Sequence, residues 1–251
     1  MNFLHALLLG IVEGITEFLP VSSTGHLILA SKLLGQSQTE FLKSFEISIQ
    51  LGAMLAVVAL YWRKLFLNLE TAKHILAAFI PTAVLGFIFY PAIKKSLLGN
   101  DSVVLWSLFL GGIFIIIFER LYKSKSNENI SYRQAFVIGL FQSLAMVPGV
   151  SRSAATIIGG LMLGVKRQTA VEFSFLLAVP TLLAASGLDL VKNASSFSSD
   201  QFIFLGSGFV TSFVAAFLGI RFFLRFIQTH DLTFFGIYRI ALALVFWGWV
   251  R

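Results

Sequence analysis

Two short stretches of an apolar chain carry side chains that could do chemistry on a phosphate group. The first, EGITEFLPVSSTGH over residues 13–26, holds two carboxylates, a run of three hydroxyls and an imidazole. Glu13 and Glu17 are four residues apart, so they share one helix face about one turn apart. Such a pair can hold a divalent cation, or one member can act as a base. A hydrogen-bonded structural pair inside a bundle is the third interpretation.

The hydroxyl run, Ser22, Ser23 and Thr24, precedes a short helix that the sequence predicts to begin near His26. Serine and threonine are favoured N-caps, and a helix N-terminus inside a membrane is also an anion site. Capping alone accounts for one hydroxyl. Gly25 lets the backbone approach a ligand closely. His26 can donate to a phosphate oxygen or to a leaving group, although a lone histidine is often a core residue with satisfied hydrogen bonds.

The second stretch, PGVSRSAAT over residues 148–156, places an arginine among apolar segments. An arginine at membrane depth needs an anionic partner, and its planar fork suits phosphate in two-point contact. A salt bridge from Arg152 to Glu13 or Glu17 is the alternative, and it is compatible with a role in substrate binding. Three further hydroxyls surround this arginine: Ser151, Ser153 and Thr156.

Together the two stretches suit a phosphate ester or diphosphate bound with a cation, and phosphoryl transfer depends chiefly on positioning and charge stabilisation. The chain contains no Walker loop and no HExxH motif, which argues against nucleotide-driven and zincin chemistry. A structural membrane subunit would explain the hydrophobicity but not this polar cluster.

The composition is that of a membrane protein. Of the 251 residues, 57% are hydrophobic and 12% are charged, and the mean hydropathy is +0.86. Apolar stretches recur along the whole chain and do not alternate, which is typical of a polytopic helical membrane protein and not of a β-barrel. The net charge of +7 fits basic cytoplasmic loops better than nucleic-acid binding. With no cysteine, the chain has no disulfide or cysteine-based metal site.

The apolar segments have unequal lengths. Residues 25–35 and 153–164 are far too short to span a bilayer, and each follows a proline and a serine cluster. We therefore predict two re-entrant hairpins, 3–35 and 133–164, that turn inside the membrane. The six spanning helices are then predicted at 45–62, 72–93, 103–122, 170–191, 202–227 and 234–250.

Loop charge sets the predicted orientation. The connectivity places the loops near 63–72, 120–133, 165–169 and 221–233 on one side, with eleven basic residues against six on the other side. The excess predicts that the first side is cytoplasmic. Both termini and the first hairpin then face outward, and the second hairpin enters from the cytoplasm.

The chain also carries an internal repeat. GIVEGITEFLPVSSTGHLIL aligns with GLFQSLAMVPGVSRSAATII, with the first glutamate opposite a glutamine. Further along, FEISIQLGAMLAVV and VEFSFLLAVPTLLA both read Glu-x-Ser before an apolar run. With the predicted topology, this indicates two inverted repeats, which in membrane proteins place their site near the midplane where the helices break. The repeats are predicted at about 1–122 and about 133–251, in one integral membrane domain.

The motifs EGITEFLPVSSTGH and PGVSRSAAT resemble those of the undecaprenyl-diphosphate phosphatase family, the bacitracin-resistance membrane enzymes, and the resemblance covers essentially the whole chain. It implies a bacterial inner-membrane enzyme that converts undecaprenyl diphosphate to undecaprenyl phosphate for peptidoglycan synthesis. It further implies an interdigitated inverted-repeat fold, commonly dimeric, with the catalytic side open to the periplasm. In the lipid phosphate phosphatases, by contrast, a nucleophilic histidine is needed where this chain has Ile158.

Mapped by this resemblance, the acidic element falls on Glu13 and Glu17, which would bind Mg2+ or Ca2+, with Glu17 as an alternative base. Ser23 would attack the terminal phosphorus or position a water, His26 would assist proton transfer, and Arg152 would bind phosphate. The remaining motif residues would bind substrate: Ser22, Thr24, Gly25, Ser151, Ser153 and Thr156. The competing function is transport of undecaprenyl phosphate, because inverted repeats with broken helices are also a transporter design.

Overall fold

The fold is entirely helical in the part of the chain that the structure, a computed structural model, describes: residues 1–37, 39–97, 100–123, 127–193 and 199–250. A 3-10 turn, Leu144–Met146, follows the sixth helix. The α-helices are α1 Phe3–Thr16, α2 Ser23–Leu33, α3 Glu40–Phe66, α4 Leu69–Ser96, α5 Asp101–Leu121, α6 Tyr132–Ser143, α7 Arg152–Met162, α8 Arg167–Asn193, α9 Ser199–Phe226 and α10 Thr233–Val250.

Both predicted re-entrant hairpins are confirmed. In the first, the Gln36 side chain beyond α2 lies 2.9 Å from His5 Nδ1 in the first turn of α1. In the second, Gln134 near the start of α6 donates to the Leu163 carbonyl at the end of α7, at 3.0 Å. Each short helix pair thus returns to the end of the molecule from which it started, and its turn lies inside the bundle.

The remaining six helices match the six predicted spans. Four of them, α3, α4, α5 and α9, are long and apolar enough by length and composition to cross a bilayer. The other two, α8 and α10, have 27 and 18 residues, which is also long enough. Large apolar side chains such as Phe87 and Leu218 point outward, as expected for helices whose surroundings are lipid.

The basic loops meet at one end of the molecule, as the connectivity predicted. Lys64 after the middle of α3 pairs with Glu172 of α8 at 2.5 Å, and Lys166 pairs with Glu128 at 2.7 Å. Arg167 forms an ion pair with Glu119, whose carboxylate also accepts a hydrogen bond from the Leu232 amide. Lys125 and Arg251, which enter the charge count, lie outside the described residues.

The two hairpins match each other element by element. The helices α2 and α7 each have 11 residues, and each follows a serine N-cap with positive φ, Ser22 at 71° and Ser151 at 80°. Both end in a glycine with positive φ, Gly35 at 65° and Gly164 at 84°. Packing is reciprocal, since α1 lies against α9 while α6 lies against α4. The hairpin of each half therefore packs on a spanning helix of the other half.

Small residues make this close packing possible. A Cβ at Gly14 of α1 would lie 2.4 Å from the Ser212 carbonyl oxygen of α9. A Cβ at Gly139 of α6 would lie 1.9 Å from the Ala78 carbonyl oxygen of α4. Without a hydrophobic driving force between helices in lipid, such close backbone contact is a main source of packing energy.

Candidate active site

The two hairpin turns meet at a cavity of about 330 Å³. It lies near the midpoints of the helices that wall it, at Gln50 of α3, Thr82 of α4 and Thr181 of α8. This is the midplane position expected for a site between two repeats with broken helices. Six of the predicted site residues line it: Glu17, Ser22, Ser23, Thr24, Ser151 and Arg152.

The first turn joins α1 to α2 and exposes three hydroxyls to this cavity. Ser22 adopts φ 71° and ψ 93°, outside the regions that L-residues favour, and its hydroxyl accepts a hydrogen bond from the Gly25 amide at 3.3 Å. A strained serine cap of this kind is costly and is characteristic of functional sites. It directs the following residue, Ser23, toward Glu17, whose Oε2 accepts a hydrogen bond from the Ser23 hydroxyl.

The second turn is built in the same way from different residues. Ser151 adopts φ 80° and ψ 113° and caps α7 by accepting from the Ala154 amide at 3.2 Å. The next residue, Arg152, therefore begins α7 at the position that Ser23 holds in α2. The same local geometry thus presents a hydroxyl from one hairpin and a guanidinium from the other.

Glu17 connects the two turns. Its Oε1 accepts a hydrogen bond from Arg152 Nη2 at 2.7 Å, and its Oε2 accepts from Ser23. Both ionic side chains are mostly buried, with 11% and 6% of their surfaces exposed for Arg152 and Glu17. The salt bridge considered from the sequence is confirmed. An ionised carboxylate against a serine hydroxyl is the arrangement by which a base activates a nucleophile.

Arg152 still has capacity for a ligand. Its Nη1 donates to the Ser174 carbonyl at 3.0 Å, and its guanidinium lies 5.5 Å from the centre of the Phe18 ring. Its Nε–H is buried and has no hydrogen-bond acceptor. Because the residue lines the cavity, its guanidinium can donate a charge-assisted hydrogen bond to an oxyanion bound there.

The surroundings of Glu13 bear on whether the site can hold a metal ion. The residue is fully buried, and neither of its carboxylate oxygens receives a hydrogen bond from a donor side chain or amide. Its carboxyl lies against that of Glu17. Two ionised carboxylates in contact at membrane depth repel each other unless a cation or a shared proton lies between them. Glu13 does not line the cavity, whereas Glu17 does. The pair fits a divalent cation that would meet substrate phosphate oxygens on its Glu17 side.

No group of three or more histidine, aspartate or glutamate side chains is placed to hold a metal within the described ranges. A cation here would depend on substrate oxygens and water to complete its coordination, as Mg2+ sites on phosphate substrates commonly do.

Several predicted residues lie behind the cavity and do not line it. His26 Nδ1 is 2.8 Å from the Ser22 carbonyl, and its Nε2 is 2.7 Å from the Tyr238 hydroxyl. Ser153 donates to the Phe18 carbonyl at 2.8 Å, and Thr156 donates to the Arg152 carbonyl at 2.9 Å. Gly25 packs against Leu108, which leaves its Cα facing protein. These residues support the turns, and direct substrate contacts for them stay a prediction.

The structure adds a polar wall that the sequence argument missed. Gln142 Nε2 donates to Thr82 Oγ1 at 3.0 Å and to Thr181 Oγ1 at 3.1 Å. Together with Gln50 these side chains line the cavity opposite the hydroxyl run. The repeat could have pointed to Gln142, because this residue aligns with Glu13 of the first hairpin. The two threonines lie on long apolar helices and give no sequence pattern of their own.

Comparison with known proteins identifies the family of this chain. The family profile described as "Bacitracin resistance protein BacA" matches residues 6–245. The chain belongs to the BacA family. It is 53% identical over 247 residues to an undecaprenyl-diphosphatase of Aquifex aeolicus, with 96% of each chain covered.

Two further relatives extend the comparison. An undecaprenyl-diphosphatase of a Sulfurihydrogenibium species is 52% identical, covering 99% of this chain and 100% of its own length. One of Wolinella succinogenes is 51% identical, covering 98% and 97%. All three carry the name undecaprenyl-diphosphatase. This BacA-family chain is accordingly a multi-pass membrane protein, and the resemblance inferred from its two motifs is confirmed.

Proposed function

We propose that the protein hydrolyses undecaprenyl diphosphate to undecaprenyl phosphate and inorganic phosphate, and so recycles the lipid carrier of peptidoglycan synthesis. The observation that carries this proposal is the Ser23–Glu17–Arg152 arrangement at a midplane cavity. It combines a hydroxyl, a base and a guanidinium at one cavity. The names of relatives with about half of their residues identical support the same reaction.

In the proposed reaction the diphosphate occupies the cavity and the isoprenoid chain stays in lipid. Arg152 and the amides at the N-terminus of α2 bind the phosphate oxygens and stabilise the charge that develops during transfer. Glu17 accepts the proton of the Ser23 hydroxyl as its oxygen attacks the terminal phosphorus, and undecaprenyl phosphate leaves. Water then cleaves the phosphoserine. Attack by a water that Ser23 and Glu17 orient is the alternative route, and trapping a phosphoenzyme distinguishes the two.

A divalent cation, Mg2+ or Ca2+, is part of the proposal. Glu13 would hold it, together with Glu17 on the route in which Glu17 is not the base, and it would supply charge neutralisation for the diphosphate. The unpaired oxygens of Glu13 support this assignment.

The proposal also covers location and assembly. The excess of basic residues in the loops at one end supports an orientation with that end in the cytoplasm. Location in a bacterial inner membrane, with the site open to the periplasm, follows the family expectation. The proposed oligomeric state is a homodimer, as the family resemblance implies. Partners are then the polyprenyl diphosphate and the bilayer.

Product analysis tests the reaction. Purified protein in detergent would be incubated with farnesyl or undecaprenyl diphosphate and Mg2+, and lipid and phosphate products quantified. We expect equal amounts of lipid monophosphate and inorganic phosphate. Release of inorganic diphosphate, or saturable binding of lipid phosphate with no hydrolysis by folded protein, would contradict the proposal, and the second result would favour the carrier alternative.

A further inference from the structure

We propose that Tyr238 and Arg239, consecutive residues of α10, are positioning residues that hold the two hairpin turns against each other in the geometry that the reaction requires. This inference rests on the proposed function. It concerns a helix that contributes no residue to the cavity lining among the described residues.

Arg239 is fully buried, and its guanidinium donates to backbone carbonyls of three separate segments. Its Nη1 donates to Val150 at 2.9 Å and to Pro20 at 3.5 Å. Its Nη2 donates to Gly149 at 2.9 Å and to Ser107 of α5 at 2.9 Å. One side chain therefore ties the first turn to the second.

The receiving carbonyls explain why an arginine is placed here. Pro20, Gly149 and Val150 lie where α1 and α6 have ended and where α2 and α7 have not begun, so helical amides do not satisfy their carbonyls. At membrane depth such carbonyls need internal donors. A planar guanidinium with five N–H groups can serve several at once, whereas an ammonium group has three donors and no fixed plane.

The contacts lie next to the reacting groups. Pro20 is three residues before Ser23, and Val150 is two residues before Arg152. A shift of Arg239 would therefore move the hydroxyl and the guanidinium relative to each other. Misplacement of reacting groups by about 1 Å can cost about 100-fold in rate.

Tyr238 acts on the first turn through His26. The Ser22 carbonyl can only accept, so His26 Nδ1 carries the proton that it receives. In the neutral ring, Nε2 is then the acceptor for the Tyr238 hydroxyl at 2.7 Å. Both ring nitrogens are thus engaged by protein, and His26 links α10 to the strained Ser22 cap. Through these two contacts His26 positions the cap.

The space for the guanidinium is provided by a glycine. A Cβ at Gly111 of α5 would lie 2.2 Å from Arg239 Nη2. Gly111→Ala therefore displaces the guanidinium without removing it. Gly206 of α9 has nothing within 4 Å of its Cβ position, so Gly206→Ala is the matched control.

The test compares Tyr238→Phe, Arg239→Lys, Gly111→Ala and Gly206→Ala as purified full-length proteins that are folded and monodisperse. For each, kcat and KM for farnesyl diphosphate are measured separately, together with the melting temperature. We expect kcat to fall about 10- to 100-fold in the first three variants, with KM changed by less than about threefold and Gly206→Ala like wild type. Wild-type kcat in both Tyr238→Phe and Gly111→Ala, with only a lower melting temperature, would overturn the proposal.

A second readout does not depend on activity. In 15N-histidine spectra, wild-type His26 should show the Nδ1–H tautomer, and Tyr238→Phe should change its Nε2 signal. An Nε2–H tautomer in the wild type would also overturn the proposal. If wild-type protein shows the expected tautomer but hydrolyses no diphosphate, the proposed function fails while the contact between α10 and the turn stands.

Discussion

Arg152 Nη2 lies 2.7 Å from Glu17 Oε1, although the two residues are 135 positions apart in the chain. Each belongs to a different hairpin: Arg152 directly follows the strained Ser151 cap, and Glu17 ends α1 just before the first turn. The pair is mostly buried, so its attraction is weakly screened, and loss of either partner leaves an uncompensated charge. It makes the two half-sites one site, because Ser23 reaches the same carboxylate from the other side.

The first prediction concerns the Ser23 hydroxyl. Ser23→Ala removes the group that donates to Glu17, and we expect kcat to fall by about 10³-fold or more, since nucleophile and base act as a unit. Phosphate release is the measurement. Ser207→Ala, which removes a hydroxyl that donates to the Phe204 carbonyl on α9, is the control. A Ser23→Ala protein with more than about a tenth of wild-type kcat would rule out a direct role.

The second prediction concerns the cation. Activity should be lost in chelator and restored by Mg2+ or Ca2+, and Glu13→Gln should raise the half-saturating metal concentration by about 10-fold or more. A metal titration of phosphate release measures both effects. Glu172→Gln removes a carboxylate that pairs with Lys64 at the end of the molecule where the basic loops lie. This variant should leave the titration unchanged. Full activity of chelator-washed protein would contradict metal dependence.

The third prediction concerns helix packing. Gly14→Ala places a methyl group against the Ser212 carbonyl, and we expect a loss of about 1–3 kcal/mol of stability from overpacking. A lower melting temperature in detergent is the readout. Gly206→Ala adds the same methyl group where no atom lies within 4 Å and serves as the comparison. Equal melting temperatures for the two variants would mean that α1 and α9 are not packed this closely.

Much of the fold could be predicted from the sequence, for identifiable reasons. Segment length separated 25–35 and 153–164 from the spanning helices, and the repeat predicted that their turns would be alike. That Ser23 and Arg152 line a cavity could be predicted, because polar and charged side chains are costly when they face lipid.

Other features depend on three-dimensional packing and could not be predicted. Nothing in sequence spacing indicates that Tyr238, 212 positions from His26, engages its imidazole. The positive φ of Ser22 and Ser151 follows from the break between two helices and not from a residue preference, since serine disfavours that region. The polar wall around Gln142 needs side chains from three helices that meet only in the folded chain.

A double-mutant cycle shows whether the two hairpins form one shared site. We would measure kcat/KM for phosphate release by wild type, Glu17→Gln, Arg152→Lys and the double variant, with Glu172→Gln as the control for loss of a paired carboxylate. We expect kcat/KM to fall by about 100-fold or more in each single variant. In the double variant the loss should be much smaller than the product of the two single losses, and the control should stay near wild type. Losses that multiply in the double variant, or a control as impaired as Glu17→Gln, would contradict a shared site.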